Sequence, residues 1–82
     1  AMRPTSVPLE QIYVPIKLRK ELEPAKLESL AEDILENGLK TPIQVRPDKG
    51  RYVLVTGLYR MNAMALLGEE TVEALIVQPR RY

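Results

Sequence analysis

The sequence predicts an α+β domain, a small mixed sheet with two helices in the order β-α-β-β-α-β. Three observations carry this. Two segments have helical spacing and each is closed by a glycine, Gly38 and Gly68. The stretches around them alternate apolar and polar residues as strands do. Between the two middle strands, Pro47-Asp48-Lys49-Gly50 is a strong turn signal, which makes those strands a hairpin.

Residues 1–5 read as a flexible lead-in, with Ala1 before Met2 as an expression remnant. Residues 6–82 are expected to form a single domain excised from a longer protein. Ser6 to Val14 is expected to be one strand, with Pro8 confining its early part to an edge and Pro15 ending it. From Ile16 to Glu23 there is no period, and a loop with a short helical turn is expected. Its Lys17, Arg19 and Lys20 can contact phosphate, although solvation is the default for such a run.

Pro24 suits the first position of a helix, and Leu27, Leu30, Ala31, Ile34 and Leu35 follow at the spacing of one apolar face. Asn37-Gly38 should end the helix by a left-handed cap. Its polar side is unusual. Glu28, Glu32 and Glu36 form a like-charge row, and Glu32, Asp33 and Glu36 crowd the negative end of the dipole, at roughly a few tenths of a kcal/mol each. Such a breach of local rules marks either a functional carboxylate or a solvated acidic face. Lys26, Ser29 and Asp33 fall on one stripe beside the apolar face.

Pro42 to Arg46 and Arg51 to Thr56 form the hairpin. The unbroken Val53-Leu54-Val55 suits a central strand covered on both faces. A second helix should run from Leu58 to Leu67, with Ala63 at a close approach to the sheet and Met64 and Leu67 in the core. Val72 to Val77 alternates again as the last strand.

Composition narrows the chemistry. The 82 residues contain no Cys and no His, which excludes disulfides, thiol catalysis and thiolate metal sites, and removes the commonest general base. A metal would be a hard, oxygen-bound ion such as magnesium. Net charge is +1, but the stretch Glu21–Glu36 sets six acids against Lys26 alone. No membrane span or signal pattern is visible, and a cytoplasmic location is the expectation.

The most informative stretch is the junction from Val53 to Ala63, where a strand meets a helix at Gly57. Such a junction exposes helix N-terminal amides at the end of a sheet, a place for an anion and typically for phosphate. Gly57 allows close backbone approach, and Arg60 brings a planar, permanently charged fork.

The run Glu23 to Ile34, then Gly38 to Arg46, then Gly57-Leu58-Tyr59-Arg60-Met61-Asn62-Ala63, resembles the superfamily of ParB N-terminal domains and sulfiredoxins over nearly the whole chain. The resemblance implies a ParB/sulfiredoxin-like fold and a nucleotide whose phosphates lie at the junction: CTP in ParB proteins, the sliding factors of DNA partition, and ATP in sulfiredoxins. Free-serine kinases and proteins reported as nucleases share the superfamily. By that resemblance Gly57 and Arg60 match the phosphate-binding turn, Lys26 and Ser29 face the nucleotide, and Gly38 to Arg46 looks like the first nucleotide-contacting motif. Leu58 stands where sulfiredoxins have their catalytic Cys, so that reductase chemistry is absent. Partition-type proteins usually have an acid and an Arg at the positions of Leu58 and Tyr59. Tyr59 either stacks on a base or ribose or packs at the sheet edge. Asp33 stands where the relatives have a hydroxyl.

Three functions follow as expectations. The first is a nucleotide-dependent module of DNA partition or gene regulation. It would bind ATP or CTP through Lys26, Ser29, Thr41, Thr56, Gly57, Leu58, Tyr59 and Arg60, with Asp33 and Glu36 as magnesium ligands. It would meet DNA through a C-terminal region outside this sequence and associate with itself. The second is an ATP-dependent phosphotransferase or ATPase with Asp33 as the catalytic carboxylate. The third is a degenerate domain acting in protein contacts.

Overall fold

The computed structural model describes residues 3–78. Residues 1 and 2 of the expected 1–5 lead-in, and residues 79–82, lie outside it. The elements are β1 (Thr5–Pro8), β2 (Ile12–Tyr13), α1 (Pro24–Asn37), β3 (Ile43–Asp48), β4 (Arg51–Thr56), α2 (Leu58–Leu66) and β5 (Thr71–Ile76), with 3-10 turns at Leu9–Gln11 and Ile16–Leu18. The strands form one mixed sheet in the order β1-β5-β3-β4-β2.

The first strand differs from the expectation. Ser6 to Val14 is not continuous: β1 pairs antiparallel with β5, and after the turn at Leu9–Gln11 the chain pairs parallel with β4 as β2. The physical reason starts at Pro8, which cannot donate to a ladder, and continues at Leu9, whose N–H goes to Glu70 O at 2.9 Å. This arrangement shapes the whole sheet. In a flat sheet the two edges would stand about 19 Å apart at ~4.8 Å per strand spacing. The chain from Pro8 to Ile12 reaches at most about 14 Å. The sheet must therefore curl until β1 and β2 approach one another.

Curling encloses the core. Val7, Ile12, Ile43, Val45, Leu54, Val72 and Ala74 form one buried cluster to which every strand contributes. Each fully buried Leu or Ile contributes about 1.5–3 kcal/mol. A second cluster of Ala31, Ile34 and Ala63 lies between the helices, and Leu39 and Met64 pack on both clusters. α2 packs on β3 and β5, and α1 packs chiefly on α2. Ala63, fully buried, is what permits that close approach.

Three further expectations change in detail. Leu35 is 74% exposed, because the buried stripe of α1 is carried by Ala31 and Ile34 facing α2 and ends there. Val55 is also exposed, although Val53 and Leu54 beside it are buried. Gln44 faces Thr56 and Val45 faces Leu54, so Val55 is an extra residue on β4 and bulges out of the ladder. Gly38 ends α1 with its N–H on Ile34 O at 2.7 Å, but at φ 78 and ψ 169 it occupies an extended region open essentially to glycine alone rather than the left-handed helical well. The hairpin turn is tight, with Lys49 at φ 36 and Gly50 at φ 81 between strands that extend to Asp48 and from Arg51.

Candidate functional site

The bulge at Val55 re-aims the end of β4, and Gly57 then turns the chain into α2. Gly57 has φ 115 and ψ 34. A Cβ built on it would lie 2.5 Å from Ile43 Cγ2 and 2.8 Å from Ile43 Cβ. Both the dihedral and the space demand glycine. The first intrahelical bond of α2 runs from Met61 N to Gly57 O at 2.9 Å, so the amides of Leu58, Tyr59 and Arg60 have no carbonyl partner within the helix.

Of these three residues, Leu58 borders a cleft of about 280 Å³ lined also by Thr56, Gly57, Leu54, Val55, Lys17, Leu18 and Lys20. A second hollow of about 430 Å³ is lined by Lys26, Ser29, Leu30, Asp33 and Tyr59. Tyr59, next to Leu58 in sequence, links the two. The expected residues thus divide between a junction side and an α1 side. Elsewhere, a hollow of about 450 Å³ between β1 and β5 is lined by Pro8, Leu9, Glu10, Glu70 and Thr71, and its two carboxylates make it unsuited to an anion.

Lys17 and Lys20, already named for phosphate contact, join the expected ligand residues in the junction cleft. The signal for them was the basic run before α1, which nothing in the sequence pointed toward the junction. Arg19, from the same run, is used differently: its Nε donates to Val14 O at 2.9 Å and its guanidinium lies 5.4 Å from the Tyr13 ring centroid.

Arg60 donates from Nη1 to Thr41 O at 3.1 Å and to Pro42 O at 2.6 Å. It clamps the segment leading into β3 and lines neither cleft. Thr41 therefore takes part through its carbonyl, and its side chain lines neither cleft. Leu58 packs partly on the core cluster. Tyr59 Oη accepts a hydrogen bond from Glu23 N at 3.0 Å, and the Tyr59 ring stands 5.6 Å from Lys20 Nζ and 4.9 Å from Lys26 Nζ.

Asp33 lines the α1-side hollow and accepts a hydrogen bond from Asn37 Nδ2 at 2.9 Å on Oδ1. Glu36, one turn further along, is exposed and lines neither cleft. Among the described residues no three acidic side chains converge on a metal-sized site. Magnesium commonly takes one or two carboxylates and completes its shell with water and substrate phosphate, and Asp33 beside a bound phosphate fits that donor set. Glu28 and Glu32 are solvated. No helix among the described residues is long and apolar enough to cross a membrane.

The arrangement suits a small anion with an organic body: amides and ammonium groups on one side, Leu30 and an aromatic ring on the other. The family model described as ParB N-terminal domain matches residues 2–81. A probable chromosome-partitioning protein ParB of Helicobacter pylori is 38% identical over 63 residues, covering 77% of this chain and 22% of that protein. The chain thus spans about a fifth of the length of that curated relative. Among solved structures, the sulfiredoxin of Arabidopsis thaliana superposes with a TM-score of 0.84 at 29% identity, covering 93% of this chain and 85% of that one. The C-terminally truncated chromosome-partitioning protein ParB of Caulobacter crescentus, complexed with CTP-gamma-S, superposes with a TM-score of 0.81 at 30% identity, covering 94% and 45%. With the fold shared and the family model spanning residues 2–81, the chain belongs to the ParB N-terminal domain family.

Proposed function

We propose that this domain binds the polyphosphate of a nucleoside triphosphate, CTP or ATP, at the β4–α2 junction, as the nucleotide-responsive module of a partition-type protein. The observation that carries the reading is Gly57. Its positive φ and its packing on Ile43 start α2, with three amides free of helix carbonyls, beside a cleft lined by Gly57, Leu58, Lys17 and Lys20. Fixed amide dipoles and mobile ammonium groups together neutralise phosphate charge. The CTP analogue in the Caulobacter relative favours CTP. Magnesium would be held by Asp33 together with the phosphates.

Calorimetric titration with CTP and with ATP, with and without magnesium, tests this. Binding that Lys17→Met weakens is expected; absence of binding to both nucleotides by the folded protein would leave a domain that acts through protein contacts alone. In this reading the nucleotide alters association with DNA or with a second copy. The 82 residues alone are expected to hold DNA weakly and with a steep loss in salt. Their composition includes no His and no Cys.

One observation favours a second reading, phosphotransfer. Asp33 shares its hollow with Lys26 and Ser29, and a carboxylate held by Asn37 can orient a hydroxyl nucleophile or a metal. Release of ADP from ATP in the presence of small hydroxyl compounds, lost in Asp33→Asn, would establish it.

A further inference from the structure

We propose that Tyr59 is a positioning residue for this polyphosphate site: its ring gathers the ammonium groups of Lys20 and Lys26, which belong to different elements, so that both meet one ligand. The inference rests on the nucleotide reading and adds to it a residue that acts through lysines rather than on phosphate. Lys20 belongs to the segment before α1 and lines the junction cleft; Lys26 is in the first turn of α1 and lines the hollow with Asp33. Their Nζ atoms lie 5.6 Å and 4.9 Å from one ring centroid.

Two like charges on long, flexible stems repel and spread unless something opposes it. Nearby carboxylates are the ordinary remedy, and Glu21, Glu23 and Glu28 are close in sequence. Yet the one ion pair among the described residues is Arg51 with Asp48, and neither lysine takes part. The electron-rich faces of the Tyr59 ring replace the carboxylate, attracting each ammonium without neutralising it. The charges stay available to an incoming anion.

The backbone contact places the ring. Tyr59 Oη receives the N–H of Glu23 at 3.0 Å, and Glu23 is midway in sequence between Lys20 and Lys26. One side chain therefore holds the centre of the 20–26 segment by a hydrogen bond and both flanking charges by its ring. Because Tyr59 directly follows the amide of Leu58 at the start of α2, the two lysines are brought to the helix end where phosphate is expected. A phosphate there offers each ammonium a stronger partner than the ring and draws both inward together.

A double-mutant cycle on the full chain tests this, with inorganic tripolyphosphate and CTP as probes, calorimetry as readout and circular dichroism to verify folding. Tyr59→Leu should weaken binding about tenfold, and Tyr59→Phe, which keeps the ring but loses the bond from Glu23 N–H, should cost distinctly less. Lys20→Met should weaken binding in the wild-type background and add little in Tyr59→Leu. The ε-methylene proton resonances of Lys20 and Lys26 should show an upfield ring-current shift in the free protein that Tyr59→Leu removes. An equal cost of Lys20→Met in both backgrounds, a Phe variant as weak as the Leu variant, or lysine resonances without the shift would each overturn the positioning role and leave the nucleotide site standing. A folded wild type that binds neither probe would overturn the nucleotide reading and this inference with it.

Discussion

The hydroxyl of Tyr59 and the backbone N–H of Glu23, 3.0 Å apart, join the first turn of one helix to the start of the other. Glu23 is the residue before α1, and its own side chain makes no capping bond. The tyrosine thus supports a helix terminus that the local sequence leaves uncapped. Tyr59→Phe should cost about 0.5–1.5 kcal/mol in chemical denaturation, and the Glu23 amide should exchange with solvent faster. An unchanged exchange rate would show that the bond does not persist in solution.

Gly57 and Ile43 make a tight contact that admits no side chain. Gly57→Ala meets both an unfavourable φ and an Ile43 side chain 2.5 Å from the new carbon. A loss of about 2–4 kcal/mol is expected from strain and overpacking combined. Thermal denaturation reads this directly, and a loss near zero would mean that β3 yields more easily than its burial suggests.

Arg60 holds two carbonyls, and its removal should loosen the chain that enters β3. Arg60→Ala is expected to cost about 1–3 kcal/mol, since charged donors make the stronger bonds. Limited proteolysis between Gly38 and Pro42 should accelerate. Diminished nucleotide binding in that variant would then have two sources, so the lysines are the cleaner probes of phosphate contact.

Ile34 and Leu35 are adjacent and have opposite environments, 8% and 74% exposed. Ile34→Ala should destabilise by about 2–4 kcal/mol, whereas Leu35→Lys should stay within about 0.5 kcal/mol of wild type. Equal effects in urea denaturation would contradict the packing of α1 on α2.

Asp33 should reveal its role through magnesium. If it completes a metal shell with bound phosphate, Asp33→Asn removes the gain in nucleotide affinity that magnesium gives. If it only repels phosphate, the same substitution tightens binding when magnesium is absent, by about threefold to tenfold for one like charge at partial exposure.

Much of this was legible in the residues. Pro24, the spacing of Leu27, Ala31 and Ile34, and Gly38 marked α1; Gly57 marked the junction by its place between a β-branched run and a helical one. Leu35 was misplaced because a period of 3.6 residues assigns a face without saying how much of it a neighbour covers, and the packed stripe of α1 stops at Ile34. Val55 was misplaced because a bulge depends on the partner strand's register, which no single segment contains. Lys17 and Lys20 were visible as charges, but their distance to Gly57 depends on how the chain folds back before α1.

Local chemistry determined which residues make strands, helices and turns, and marked Gly57 as the turn between a strand and a helix; the packing of Ile43 that excludes any side chain there came from the fold. Only the tertiary structure decided that Ser6 to Val14 is split between opposite edges of the sheet, that the sheet curls so that a short turn can join them, and that the Tyr59 ring lies near lysines from two elements. Propensity, periodicity and capping act over a few residues, whereas edge pairing, curvature and the meeting of distant side chains are set by the requirement that the whole chain close on one core.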